Sequence, residues 1–318
     1  MAADVPSSSS TELGTSGQPS GQPVVPRDAS TLILVRDRLS TGESDLGNPG
    51  SIEVCMVLRR ASLEFAAGAY VFPGGKVEAA DASEEILAQS VQQNEASPGA
   101  LTRDAPGAPY PGPPSGEAQR SPLEARPEPL PGIAFFVAAL RECFEETGIL
   151  LASQRLDRDR LAAARQCRRD LLLQRVTFAQ LLKNLDVTLA LDALHYYSRW
   201  ITPAFSPQRF DTRFFVAVTP EAHTAPEAHE VSPDRGETVA GIWITPAEAA
   251  RRHRAGEIEL LLPTVKHLEY MAEYRSIAEL EHELARPRDV APVEPRVTFA
   301  GDDVTVLLPG EPGFDTQP

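Results

Sequence analysis

This chain has few residues that could form disulfides, bind zinc or cross a membrane. Three of its 318 residues are cysteine, and Cys55, Cys143 and Cys167 are scattered without C-x-x-C spacing. That arrangement supports neither a disulfide framework nor a zinc site. Cys143 is interpreted as a small core residue. The sequence has no run of 18 apolar residues, so we expect no transmembrane helix.

Positive charge is also scarce. Thirty Lys and Arg stand against 45 Asp and Glu, which gives a net charge of −15. A nucleic-acid-binding protein needs a basic surface to neutralise phosphates, so we expect no nucleic-acid partner. The first residues do not show the basic and apolar segments of a signal peptide, and the last residues are not the S-K-L peroxisomal address. We therefore expect no membrane partner and a cytoplasmic location, while nothing in the sequence sets an oligomeric state.

The histidines and tryptophans show no pattern of a binding site. The six histidines lack H-x-x-H and H-E-x-x-H spacing and are interpreted as surface or structural residues: His195, His223, His229, His253, His267 and His282. Trp200 and Trp243 lie in apolar strand-like runs. They are more typical of core aromatics than of platforms for stacking bases.

The most informative stretch is acidic and runs from Arg141 to Ile149. In a helix that begins near Ile133, Glu142, Glu145 and Glu146 share one face because they are spaced i, i+3 and i+4. Arg141 lies four residues before Glu145, and we expect it to pair with only one carboxylate. The remaining negative charge suits a hard divalent cation, although a solvated acidic helix face is the simpler alternative. Gly148 is a natural helix end.

An upstream segment, Tyr70 to Glu78, contains Pro73-Gly74-Gly75. Together the two segments resemble the Nudix box, G-x5-E-x7-R-E-U-x-E-E-x-G-U, where U is a bulky apolar residue. Gly75 matches the opening glycine, and Arg141 to Ile149 match the second half. Asp81 replaces the usual first glutamate, and a long insertion replaces the seven-residue spacer. This split box is similar to that of the Nudix hydrolase subgroup that includes the peroxisomal coenzyme A diphosphatase, and the resemblance covers residues 30–284.

Composition and periodicity indicate an α/β fold with a mixed sheet, a helical insert and a disordered Pro-rich insertion. The resemblance likewise implies a Nudix-like α/β/α sandwich. We expect a disordered tail over 1–28, a Nudix domain over 29–290 and a C-terminal hairpin and tail over 291–318. The insertion within the box covers 82–132 and is mostly Pro-rich loop from 97. Residue periodicity predicts strands at 31–36, 53–60, 149–151, 196–201, 212–218 and 239–244, and a broken strand with a Pro-Gly-Gly turn at 69–77. It predicts helices at 83–93, 133–147, 157–176, 178–185, 261–274 and 277–285, with one more starting after the Thr245 cap and Pro246, and a hairpin at 296–308.

The resemblance also implies a reaction, the hydrolysis of a nucleoside diphosphate linked to another moiety by attack of water at one phosphorus. Such a substrate is a small molecule, and the cofactor is Mg²⁺ or Mn²⁺. Coenzyme A or an acyl derivative is the first candidate, ahead of NAD(H), ADP-ribose and other nucleotide diphosphates. The alternatives are a non-catalytic Nudix-like module that binds or senses a nucleotide, and a purely structural acidic cluster.

By the same resemblance, Glu145 and Glu146 are the leading metal ligands, with Glu142 beside them. Gly75 can offer its backbone carbonyl to the metal because no side chain shields it; a purely conformational glycine is the alternative. Glu145 and Glu142 are catalytic candidates because one glutamate acts as base towards water; which one is left open. Arg141 is expected to orient Glu145 through an ion pair. Asp81 is one methylene shorter than glutamate, so it would reach a metal only through water.

Four further arginines are candidates for binding substrate. Arg59 and Arg60 end a strand just before the predicted metal loop, where one of them could bind a substrate phosphate; a solvated surface charge is the alternative. Arg209 and Arg213 lie near a predicted sheet edge and are candidates for substrate contact.

Overall fold

The computed structural model describes residues 24–38, 52–90, 132–219, 230–286, 290–300 and 303–314. These ranges include both halves of the split box, Tyr70 to Asp81 and Arg141 to Ile149. Most of the predicted N-terminal tail, residues 91–131 of the predicted insertion, and His223 and His229 lie outside the described residues.

Within the described ranges, nine strands form one mixed sheet. They are β1 (Arg27–Asp37), β2 (Ile52–Arg59), β3 (Ala69–Val71), β4 (Gly74–Lys76), β5 (His195–Ile201), β6 (Phe210–Val218), β7 (Thr238–Ile244), β8 (Glu259–Leu260) and β9 (Pro292–Val293). The strand order is β8-β3-β2-β1-β6-β5-β9, with β4 also paired to β1 and β7 to β2. Two further strands, β10 (Arg296–Ala300) and β11 (Asp303–Leu307), form the predicted antiparallel hairpin.

Strand β1 is the centre of the sheet. It pairs in parallel with β6 over nine positions, from Arg27–Phe210 to Val35–Val218. On its other side its first half is antiparallel to β4 and its second half is antiparallel to β2. Its central residues are buried on both faces because successive side chains point to opposite sides: Leu32 and Leu34 join one core, and Ile33 and Val35 the other.

Helices cover both faces of the sheet. They are α1 (Glu84–Ala88), α2 (Gly132–Thr147), α3 (Arg158–Leu172), α4 (Phe178–Leu185), α5 (Pro246–Arg254), α6 (Leu262–Met271) and α7 (Ile277–Leu284). Side chains of α2, α3 and α4 enter the core that contains Leu32, and those of α5, α6 and α7 enter the core that contains Ile33. The predicted α/β sandwich is confirmed. Of the helices in the described ranges, none is both long and apolar enough to span a bilayer.

The helix ends follow from local sequence. The Thr245 hydroxyl accepts the Glu248 N–H, with Pro246 at the first helical position, as predicted. Gly148 ends α2 with φ of 79°, a conformation that glycine adopts without the cost that a Cβ atom imposes.

Two predictions about strands were wrong. Residues 149–151 are buried, but they form no strand; the nearby pairing is one isolated antiparallel bridge between Ala152 and Leu189. Strand β1 begins at Arg27 rather than Thr31, so Arg27 and Asp28 belong to the sheet and not to a disordered tail.

Candidate active site

The three glutamates project from the carboxyl-terminal half of α2. On the opposite side of that half, Leu140, Cys143 and Phe144 are buried in the core, which confirms Cys143 as a core residue. Packing of these residues fixes the rotation of the helix, since residues three and four apart share a face. The side chains of Glu142, Glu145 and Glu146 are 15%, 22% and 5% exposed. The carboxylates therefore lie at the border between the core and an open cleft.

The two glycines at the start of β4 contact this helix directly. The Gly74 N–H donates to Glu146 Oε2 at 3.0 Å. A Cβ atom on Gly75 would lie 2.5 Å from the Glu142 carboxylate carbon, so only glycine leaves room for that carboxylate. The two half-motifs, far apart in sequence, thus form one site.

Arg141 connects the two halves, and the prediction that it pairs with only one carboxylate was wrong. Its Nε and Nη2 donate to the two carboxylate oxygens of Asp81 at 2.7 and 3.0 Å. Its Nη1 donates to Glu142 at 2.9 Å and to Glu145 at 3.4 Å, and Nη2 also donates to the Lys76 carbonyl at 2.9 Å. The planar guanidinium can do this because its five N–H groups point in fixed directions.

Asp81 has a different role from the one expected. Both its oxygens face Arg141, and its Oδ2 also accepts the Glu78 N–H at 2.8 Å. The side chain is 2% exposed. Asp81 therefore holds Arg141 in place. Sequence reasoning missed this because the two residues are 60 positions apart and no local pattern joins them.

Burial raises the pKa of all three glutamates. The pKa of Glu142 is raised to about 7, mainly by loss of solvation, although Arg141 acts in the opposite direction. Burial likewise raises the pKa of Glu145, and it raises that of Glu146 well above the ordinary value. Desolvation disfavours the charged form of a carboxyl group, and a cation among these carboxylates would reverse the effect.

The three glutamates suit a hard divalent cation, because such ions prefer carboxylate oxygens as ligands. In the described parts of the chain, no three acidic, His or Cys side chains already converge as they do around a bound ion. A closed cage is not required, because Mg²⁺ commonly takes one or two carboxylates together with waters and substrate phosphates. Three desolvated carboxylates on one helix face, beside an open cleft, can supply that number.

Residues outside the box fix the end of α2. Arg168 reaches from α3 and donates through Nε and Nη2 to the Glu145 carbonyl at 3.1 and 2.7 Å. The Ser232 N–H donates to the Thr147 carbonyl at 2.7 Å, and the Thr238 hydroxyl to the Glu146 carbonyl at 3.4 Å. The backbone carbonyls in the last turn of an α-helix have no hydrogen-bond partner within that helix, so these three donors supply one. Sequence reasoning missed Arg168, which lies in an ordinary Arg-rich helix.

The glutamates open onto a cleft of about 1430 Å³. One part, here called the sheet arm, is floored by side chains of three neighbouring strands and bordered by the loop after β2; it includes Arg27, Lys76, Phe210, Thr212 and Phe65. The other part, the insert arm, is lined by the end of α3 and the start of α4, including Leu171, Leu172, Arg175, Val176 and Phe178.

The four predicted phosphate-binding arginines separate into two groups. Arg59 lines the cleft, with Nη1 3.9 Å from Glu146 Oε1 and Nη2 3.5 Å from the Glu237 carboxylate. Arg60 is exposed and donates to the carbonyls of Gly236 and Arg235, which ties it to the loop before β7.

Arg209 and Arg213 differ from what was expected, since neither is among the described residues that line the cleft. Arg209 is buried and donates to the carbonyls of Thr202 and Val24 and to Glu294, the last at 2.6 Å. Arg213 places its guanidinium carbon 3.4 Å from the centre of the Phe135 ring on α2. Both arginines hold elements of the fold together.

The remaining predicted residues have structural positions. Trp200 is buried in the core under α6, and Trp243 is partly buried beneath Arg36. His267 is buried among aromatic rings, with Nε2 2.6 Å from the Ser198 hydroxyl.

Comparison with known proteins agrees with this geometry. Residues 26–271 match the family model of the NUDT19 Nudix domain. Acyl-coenzyme A diphosphatase NUDT19 of Gallus gallus is 31% identical over 92% of this chain and 80% of that protein. The Homo sapiens protein of the same name is 29% identical over 90% of this chain and 79% of its own length. Among solved structures, a NUDIX hydrolase from Alicyclobacillus acidocaldarius shares the fold, with a TM-score of 0.53 and 24% identity over 84% of this chain and 98% of that one.

Proposed function

The chain belongs to the Nudix family, within the group of the NUDT19 Nudix domain, and is a Nudix diphosphohydrolase; from this premise we propose that its substrate is coenzyme A or an acyl-coenzyme A. Water would add to one phosphorus of the diphosphate, and the bond to the bridging oxygen would break, releasing 3′,5′-ADP and phosphopantetheine or its acyl derivative. The observation that carries the proposal is the contact of Gly74 and Gly75 with Glu146 and Glu142 at one cleft.

Glu142, Glu145 and Glu146 are proposed to hold the divalent cation, Mg²⁺ or Mn²⁺, together with the Gly75 carbonyl. When bound, such an ion polarises phosphoryl oxygens and lowers the pKa of its water. The base is proposed to be Glu142 or Glu145, which are more exposed to the cleft than Glu146. Either carboxylate would take the proton that the attacking water loses.

Arg141 and Arg59 are proposed to act at the edge of this centre. Arg141 holds Glu142 and Glu145 in position and balances their charge while it is itself held by Asp81. Arg59 lies beside Glu146 in the cleft, where its guanidinium can bind a non-bridging phosphate oxygen.

The size of the cleft favours a long substrate. Pockets for drug-sized ligands are commonly about 300–1,000 Å³, and this cleft exceeds that range at about 1430 Å³. A coenzyme A molecule has a large group on each side of its diphosphate, and residues of the sheet and of the helical insert both line the cleft together with the glutamates. The relatives in Gallus gallus and Homo sapiens are named for the same substrate class.

We also propose that the protein resides in a reducing compartment such as the cytoplasm. Cys55, Cys143 and Cys167 are all free thiols, as is usual for proteins of reducing compartments. The comparisons give no support to the non-catalytic alternative.

The test is a metal-dependent assay of product release. With Mg²⁺ or Mn²⁺, the full chain should release 3′,5′-ADP from coenzyme A faster than it releases AMP from NADH or ADP-ribose. Glu145→Gln and Glu146→Gln keep the side-chain shape but remove charge, so each variant should lose at least about a hundredfold in kcat while staying folded. An intact fold without metal-dependent turnover on any diphosphate would favour the binding module.

A further inference from the structure

Two exposed cations line the sheet arm without an acidic partner. Arg27 and Lys76 are both exposed and both face the cleft, and neither forms an ion pair with another described residue. The other cleft cations are engaged: Arg141 by Asp81, Arg59 by Glu146 and Glu237, and Arg175 by Asp170 at 3.2 Å. Arg27 and Lys76 are therefore available for an anionic ligand in a chain that is acidic overall.

The strand register brings these two cations together. Lys76 on β4 lies opposite Ala29 on β1 in an antiparallel pair, and Arg27 precedes Ala29 by two residues, so all three share a face. Arg27 and Lys76 are then diagonal neighbours across the ladder, which long side chains can bridge. The small side chain of Ala29 between them leaves room for a group to enter.

This pair of cations lines the same cleft as the glutamates. Gly75 contacts Glu142, and the carbonyl of the next residue, Lys76, accepts a hydrogen bond from Arg141 at 2.9 Å. Because successive side chains of a strand point to opposite faces, the Lys76 side chain lies on the face of the sheet away from the glutamate helix, and residues of both faces line the cleft. In coenzyme A, only the ribose separates the 3′-phosphate from the diphosphate. A substrate that passes from the glutamates around β4 would therefore bring its 3′-phosphate towards Arg27 and Lys76.

The surroundings of the cations suit an adenine ring. Arg27 is in register with Phe210, whose ring centre lies 5.3 Å from that of Phe65 at the cleft border. Aromatic faces bind bases by stacking. Two acids also line this part of the cleft, but Glu64 accepts a hydrogen bond from Gln208, and Glu78 is the N-cap of the turn after β4.

We propose that Arg27 and Lys76 bind the 3′-phosphate of the substrate ribose, so that the sheet arm holds the 3′-phosphoadenosine half and selects coenzyme A over diphosphates that lack this phosphate. Two cations beside one another suit a dianionic phosphate through charge-assisted hydrogen bonds. The insert arm, with the apolar side chains of Leu171, Leu172 and Val176, then receives the pantetheine and acyl half. This assignment rests on the proposed function.

The test compares two substrates that differ only in that phosphate, coenzyme A and dephospho-coenzyme A, in the full chain with Mg²⁺. The double variant Arg27→Gln/Lys76→Gln should lower kcat/KM for coenzyme A by about 10- to 100-fold, mainly through KM. Its kcat/KM for dephospho-coenzyme A should stay within about twofold of wild type. Lys183→Gln, which removes an exposed charge from α4, is the matched control and should change neither substrate.

An equal loss on both substrates would place these cations on the diphosphate instead, and no loss on either would remove them from the site; each result overturns the assignment. Calorimetric binding of 3′,5′-ADP and 5′-AMP needs no turnover and separates this inference from the proposed function. Tighter binding of 3′,5′-ADP that disappears in the double variant would support the subsite even if no diphosphate were cleaved. Equal binding of the two nucleotides by wild type would refute the subsite even if coenzyme A were hydrolysed.

Discussion

At the scale of single residues, the two adjacent glycines of β4 have separate roles. A Cβ atom on Gly74 would lie 2.5 Å from the Ser30 carbonyl oxygen and 2.7 Å from the Thr31 Cα, both fixed parts of β1. A Cβ atom on Gly75 would meet the Glu142 carboxylate, the far end of a flexible side chain. The same added methyl group therefore disturbs the sheet at one position and the reacting centre at the next.

We expect Gly74→Ala to lower the free energy of unfolding by about 2 kcal/mol, as overpacking usually does. Gly75→Ala should cost less than about 1 kcal/mol, because Glu142 can rotate away, yet it should lower kcat by about a hundredfold because the carboxylate is displaced. Urea unfolding and steady-state kinetics on both variants measure the two effects. The expectation fails if Gly75→Ala retains wild-type kcat.

A second residue-scale prediction concerns His267. It is buried among Phe214, Tyr197 and Trp200, and burial lowers its pKa to about 3. Between pH 3 and its unfolded pKa of about 6.5, only the unfolded chain binds this proton. The neutral imidazole therefore stabilises the fold fully above pH 6.5, and this contribution should decline by about 1.4 kcal/mol for each pH unit below that value.

His267→Gln removes the titrating group while keeping a polar side chain opposite Ser198. The variant should be less stable at neutral pH but should show a flatter fall of stability between pH 6.5 and 5, measured by urea unfolding at each pH. His282→Gln, at an exposed position, should keep the wild-type slope. Parallel slopes for wild type and His267→Gln would show that His267 does not cause the acid sensitivity.

At the scale of elements, the helical insert supports the glutamate helix. Arg168 of α3 binds the Glu145 carbonyl through two N–H groups, close to where Gly148 ends the helix. Because it holds the backbone beneath a proposed metal ligand, Arg168 is a positioning residue rather than a catalytic one.

Arg168→Ala should destabilise the chain by about 2 kcal/mol, since it leaves a partly buried carbonyl without its partner. We also expect kcat to fall about tenfold with KM nearly unchanged, because Glu145 loses its fixed position and the cleft does not. Arg169→Ala, at the exposed neighbouring position, should change neither value by a measurable amount. A pure loss of stability with full kcat would limit Arg168 to a structural role.

Local patterns predicted most elements because their causes are local. The Thr245 cap, the end at Gly148 and the hairpin β10–β11 depend on residues a few positions apart. Residues 149–151 were misassigned because a short apolar run does not distinguish a strand from a buried loop. The parallel pairing of β1 with β6 also leaves no sequence signal of its own.

For the candidate site, too, the local features were predictable from the sequence and the long-range contacts were not. Glu142, Glu145, Glu146 and Gly75 follow from spacing and from the resemblance, and the structure brings them together. The partners of Arg141 and Arg209 do not follow, because Asp81 and Glu294 lie 60 and 85 positions away. Contacts of that kind depend on how the sheet assembles.

At the scale of the whole molecule, folding brings three carboxylates together in a chain of net charge −15. A divalent ion that binds only the folded chain should stabilise it by about 2.7 kcal/mol at 100 times its Kd. This corresponds to a rise in Tm of roughly 5–10 °C for a domain of this size. Thermal unfolding in EDTA, Mg²⁺ and Mn²⁺ measures the shift.

The triple variant Glu142→Gln/Glu145→Gln/Glu146→Gln should lose this shift. An exposed acidic set provides the control: Glu279→Gln/Glu281→Gln, on α7, should keep the full rise in Tm. A rise of equal size in the triple variant would mean that the ions act elsewhere on the acidic surface.

Strand β1 precedes residues 91–131 in the chain and strand β6 follows them, and the two strands pair over nine positions. The backbone ladder and the Arg141–Asp81 ion pair hold the two halves of the centre in register. A chain divided within 91–131 should consequently reassemble from two separately produced polypeptides. Attached to two interacting proteins, such fragments would make a complementation reporter whose signal is the release of a nucleotide.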